Sequence, residues 1–161
     1  MKLRLVLGIV AALLIVQSAY AANIETTWSV ATAKNRAGAV ERTIRYRGGM
    51  PIWVKQGSYK AVVVLSWPTS NKTGMPSQEE SILHQAFEAR TRAAQEAAKA
   101  AVLATVISGD GKVEWMYYAR THQEFIKVLN KSRVGQPSFP IAIQLKQDPL
   151  WTKHLVIGDG K

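Results

Sequence analysis

No cysteine occurs anywhere in this chain of 161 residues. Disulfides, thiolate metal sites, cysteine nucleophiles and a lipid-modified cysteine anchor are excluded together. Acids are scarce as well: 11 Asp and Glu stand against 21 Lys and Arg, a net charge of +10. Histidine is confined to His84, His122 and His154. The chain has no Gly-x-Ser-x-Gly, no Ser-x-x-Lys and no His-Glu-x-x-His, and neither a P-loop nor the glycine pattern of a dinucleotide site. Those absences remove the sequence-readable routes to serine hydrolysis, zinc proteolysis and nucleotide chemistry. No cofactor and no metal are expected.

What is present begins at the N-terminus. "MKLR" is a short positive stretch, "LVLGIVAALLIV" (5–16) is apolar, and "QSAYA" ends in Ala19-x-Ala21. This is the three-part order of a secretory signal peptide. The apolar run falls short of the roughly 20 residues that span a bilayer. Cleavage after Ala21 is therefore expected, leaving residues 22–161 as a single domain that is periplasmic or secreted. The membrane would be met only through residues 1–21 before cleavage. Loss of Lys2 and Arg4 leaves a charge of +8.

That charge is uneven. Between Lys34 and Lys60 lie Lys34, Arg36, Arg42, Arg45, Arg47, Lys55 and Lys60 against Glu41 alone. Outside the cytoplasm such a patch meets acidic protein surfaces and anionic glycolipid or lipid headgroups. The expected partner is an acidic protein or another envelope polyanion, with Arg42, Arg45, Arg47, Lys34 and Lys55 as contact residues. Arg45 and Arg47 share one strand face, so they can act on one surface together. Solubility alone is the competing use of the charge.

Periodicity predicts an α+β fold. "TTWSVATAK" (26–34) and "VERTIRYR" (40–47) read as a hairpin joined by "NRAGA", and "YKAVVVLSW" (59–67) as a strand covered on both faces. Ser77 and Glu80 form a capping box that opens a helix from Gln78 to about Ala100. Its predicted apolar stripe is Ile82, Leu83, Ala86, Phe87, Ala93, Ala94 and Ala97. "AVLATVI" (101–107) and "KVEWMYYA" (112–119) flank an Asp-Gly hairpin signal. Thr121 and Glu124 repeat the capping box before a short helix, and "IAIQLKQ" (141–147) closes as a strand. From residue 59 the order is βαββαβ, the ferredoxin-like split βαβ pattern with two helices on one face, extended by the N-terminal hairpin.

RNA-recognition domains share that order and stack bases on aromatics of the open face. Here "KVEWMYYA" lacks their glycine, and the signal peptide leads away from nucleic acid. The aromatic strand reads as core, and no nucleic-acid partner is expected. Catalytic candidates are few. Glu80, His84 and Glu88 recur at every fourth position of the first helix, a base-and-carboxylate or ligand spacing that is more commonly a solvated helix edge. Asp148 in "DPLW" is the other candidate acid, more commonly a turn former.

"GMPSQEESILHQAFE", "AVLATVISGDGKVEWMYYA" and "DPLWTKHL", in that order, resemble the bacterial family catalogued as domain of unknown function 695, over roughly residues 27–155. Gly74, Pro76, Glu80, Gly111, Tyr118, Asp148, Pro149 and Trp151 fall on its pattern. The resemblance implies one compact α+β domain and brings no reaction. Some relatives are fused to a domain resembling a regulator of an RNA-degrading enzyme, which implies protein binding. The functional expectation is a non-enzymatic binding or adaptor domain for an acidic partner, an immunity-type protein being a special case. The alternative is a small hydrolase or metal-dependent enzyme using His84 with Glu80 or Glu88, or Asp148.

Overall fold

The computed structural model describes residues 28–72 and 74–152. The expected signal peptide (1–21), the expected cleavage site after Ala21 and His154 lie outside the described residues. One antiparallel sheet contains β1 (Trp28–Lys34), β2 (Val40–Arg47), β3 (Ala61–Pro68), β4 (Ala101–Gly109), β5 (Lys112–Ala119) and β6 (Ala142–Gln147). Its helices are α1 (Gln78–Ala97) and α2 (His122–Ser132). The strands lie in the order β1-β2-β4-β5-β3-β6. The two strands that α1 connects, β3 and β4, are thus separated by β5, which is the split βαβ arrangement, and the hairpin β1-β2 extends the sheet beyond β4.

The continuous apolar run of β3 is explained by burial on both sides. Val63, Leu65 and Trp67 join Leu103, Trp115 and Tyr117 beneath Phe87 of α1 and Phe125 and Leu129 of α2. On the other face, Val62, Val102, Met116 and Tyr118 are covered by Met50, Trp53 and Val54 and by Trp151. Each fully buried Val or Leu contributes about 1.5–3 kcal/mol. The aromatic strand β5 is therefore core on both faces.

Between β4 and β5, Asp110 and Gly111 both have positive φ (52° and 74°), the conformation that an Asp-Gly hairpin turn requires. A Cβ on Gly111 would stand 2.2 Å from the Lys72 carbonyl oxygen. The Gly111 carbonyl in turn accepts from the Thr69 N–H at 2.8 Å, so the tip is clamped to the loop before α1.

Helix α1 starts as its cap predicts. The Ser77 Oγ accepts from the Glu80 N–H (3.2 Å), and Glu80 accepts from the Ser77 N–H (2.9 Å). At α2 only half of the box forms: the Thr121 Oγ1 accepts from the Glu124 N–H at 3.1 Å, and Glu124 turns toward Arg120 instead. The buried stripe of α1 differs from the expected one. Ile82 and Leu83 are 60% and 54% exposed, while His84, Phe87, Glu88, Thr91 and Gln95 are buried. Neighbours supply partners for part of this polar inward face. Gln95 Nε2 donates to the Phe125 carbonyl (2.9 Å), and Glu88 accepts from the Trp115 indole N–H (3.0 Å). Polar burial is tolerated on those terms.

Candidate functional site

Alternation does place Arg45 and Arg47 on one face of β2, but it is the face that α1 overlooks. Arg45 donates to Glu88 at 2.5 Å. Arg47 pairs with Glu96 and donates through Nε to the Leu103 carbonyl at 2.7 Å, and is only 4% exposed. Both guanidiniums lie 5.1 Å from the Trp28 ring centroid, within cation–π reach. Burial lowers the Arg47 pKa and Glu96 opposes that shift. Arg42 pairs with Asp110 at the surface. Lys34 and Lys55 are exposed. The sequence-predicted basic set is therefore split: two arginines bind the sheet to α1, one pins the hairpin tip, and two lysines face outward.

The Glu80–His84–Glu88 row is divided as well. Glu80 serves the cap, and its other oxygen accepts from the Ser70 N–H at 2.6 Å. Those backbone N–H groups, that of Ser77 first, hold its pKa below the ordinary carboxylate value. His84 is buried, not solvated, between the Trp67 and Trp115 rings (centroids 4.8 and 5.8 Å). Burial lowers its pKa, with Glu80 opposing, so the ring is neutral at neutral pH. Its Nδ1 has no hydrogen-bond partner among the described residues. His84 and Glu88 line one cleft of about 380 Å³ with Arg45 and Trp115, yet Glu88 is engaged by Arg45 and Trp115. A paired base and acid is not assembled.

The family-pattern positions near the C-terminus form a latch on the opposite face of the sheet. Tyr118 Oη donates to Asp148 Oδ2 at 2.7 Å, and Asp148 Oδ1 accepts from the Thr152 N–H and Oγ1 (3.0 and 2.9 Å). Trp151 stacks on Tyr118 with centroids 4.3 Å apart and donates its indole N–H to the Tyr59 carbonyl at 2.7 Å. Asp148 is thus a structural acid, far from His84 in role and on the other side of the sheet.

One surface escaped sequence reading. Where α1 ends and α2 begins, Lys55, Lys99 and Arg120 line one hollow, and Arg120, Lys127 and Lys131 line a neighbouring groove of about 600 Å³. Glu124 is the acid the two hollows share. The groove floor is apolar, from Ala94, Ala97, Ala98 and Val128. These five cations are spread over 77 positions from Lys55 to Lys131, so no window of sequence displays them together. Only Lys55 was legible, as part of the basic run. Among the described residues no helix is long and apolar enough to cross a membrane.

A family model described as "Family of unknown function (DUF695)" matches residues 26–155. No curated protein matches the chain.

Proposed function

This chain belongs to the family of unknown function DUF695, and from that premise we propose that it is a non-enzymatic binding domain, exported by residues 1–21, whose partner is an acidic protein. The observation that carries this reading is the cationic groove at the α1–α2 end. Arg120, Lys127 and Lys131 border its apolar floor, Lys55 and Lys99 join Arg120 around the neighbouring hollow, and Glu124 is the single acid among the residues that line the two. Charge complementarity favours an acidic segment that also carries apolar side chains, and the small alanine floor lets its backbone approach closely. Rim cations of this kind raise the association rate and make binding salt-dependent. Arg45 and Arg47, the contact residues expected from the sequence, are engaged with α1, so this reading rests on the groove instead.

The test uses the protein and a Lys55→Glu/Lys127→Glu/Lys131→Glu variant, immobilised in parallel and exposed to cell-envelope extract with stepwise salt elution. Support requires an acidic protein that is retained by the native chain, released by salt and lost with the variant. That protein, once purified, must bind with an affinity that falls as salt rises. Retention equal on both columns overturns the reading. Binding to vesicles containing phosphatidylglycerol, with no protein partner, replaces it with a membrane surface.

A further inference from the structure

Beside the packed side chains of His84 and Phe87, the first half of α1 borders an open cleft whose other wall comes from β2, β4 and β5. Arg45 spans it to Glu88 at 2.5 Å, so the two formal charges that face the cleft cancel. The remaining polar groups that line it are uncharged: His84 from α1, with Ser81 and Gln85, and Thr43 and Ser108 from β2 and β4. Trp115, with Val106, Val113 and Pro76, supplies apolar wall. His84 is 4% exposed, and its Nδ1 has no hydrogen-bond partner among the described residues. A buried polar atom left without a partner is costly, and a cleft beside it is where a ligand group can supply one. The volume of about 380 Å³ lies toward the small end of ligand sites, which begin at about 300 Å³.

We propose that this cleft is a binding site for a single uncharged saccharide ring. An isolated anion or cation finds no net countercharge there, because Glu88 already neutralises Arg45 and accepts the Trp115 indole N–H. Hydroxyl, amide and neutral imidazole groups each both donate and accept. They therefore match ligand hydroxyls, which do the same, while the apolar wall takes the C–H face of the ring. The site is separate from the cationic groove: it lies under residues 76–88, and the groove begins at Ala94.

The experiment is a titration of the ¹⁵N-labelled protein with glucose and with N-acetylglucosamine, following the Trp115 indole N–H and the His84 ring nitrogens. Acetate and methylammonium are the charged controls. A saturable shift of both signals with a sugar, and none with either ion, is expected. Ser108→Ala and His84→Phe should each weaken binding by about tenfold, the equivalent of one hydrogen bond. His84→Phe keeps an aromatic ring between Trp67 and Trp115. Should it fail to fold, Ser108→Ala carries the test alone. The Lys55→Glu/Lys127→Glu/Lys131→Glu variant should bind sugar as the native protein does, so failure here and failure of the partner reading are told apart. No saturable shift with either sugar at tens of millimolar, or an equal shift with acetate, overturns the proposal.

Discussion

Arg47 shows how a residue type can mislead about its use. In a basic strand it reads as surface charge, yet its guanidinium is buried, paired with Glu96, bonded to the Leu103 carbonyl and set against Trp28. Replacing it leaves Glu96 and a buried carbonyl without their partner. Arg47→Met should cost about 2–4 kcal/mol in urea unfolding, whereas Arg42→Ala, which breaks a surface pair, should stay within about 0.5 kcal/mol. Tyr117 presents the reverse case. Its hydroxyl is buried without a hydrogen-bond partner among the described residues, and burial raises its pKa. Tyr117→Phe should therefore raise stability by about 1 kcal/mol. A loss on the same denaturation curve would show that the hydroxyl is satisfied in solution. His84 gives a pH signature. Its pKa is lower folded than the ordinary 6.5, so the unfolded chain binds more protons as pH falls through that value, and stability declines on the acid side. Its contribution is constant above that range. His84→Phe should flatten the decline between neutral pH and the carboxylate range, measured as urea midpoints at several pH values.

At the scale of elements, α1 is governed by its ends and by what lies beneath it. Its start carries a full capping box, whose loss by Ser77→Ala is worth about 1 kcal/mol. Its end turns through Lys99 at φ 50°. The Ala100 N–H donates to the Gln95 carbonyl and the Lys99 N–H to that of Glu96, both at 3.0 Å. That is the closing pattern usually built with glycine. Lys99→Gly should gain about 1 kcal/mol by relieving the left-handed backbone, read as a raised thermal midpoint, while Tyr59 keeps its hydrogen bond to the residue-99 carbonyl. Between those ends the helix buries polar residues and exposes Ile82 and Leu83. Helical periodicity locates an apolar stripe only when the covering surface is itself apolar, and here the sheet and hairpin offer an indole N–H and two guanidiniums.

For the molecule as a whole, the separation of two surfaces matters most. Charge faces outward at the α1–α2 end, and charge is neutralised inside the cleft under the start of α1. Partner binding at the first should weaken steeply with salt, since solvent-exposed charges are screened over about 8 Å at physiological ionic strength. Saccharide binding at the second should be nearly indifferent to salt. The export reading has its own check: protein recovered from the cell exterior or periplasm should begin at Ala22, and an intact Met1 on cytosolic protein would remove it.

Much of the architecture follows from local sequence. The Asp110-Gly111 turn and the Ser77 cap are set by interactions within a few residues, and the continuous apolar run of β3 and the order βαββαβ show in the local pattern, which a linear reading captures. The positions shared with the family pattern are mostly structural: Gly111 fits a turn, Glu80 closes a cap, and Tyr118, Asp148 and Trp151 fasten the chain end to the sheet through contacts distant in sequence. Tertiary structure decided the rest. It decided which way β2 turns its arginines and which face of α1 lies down. It also drew Lys55, Lys99, Arg120, Lys127 and Lys131 to one end of the fold. Burial of a charge depends on whether an opposite charge arrives from a distant segment, as Glu96 does for Arg47, and that encounter is a property of the folded chain alone.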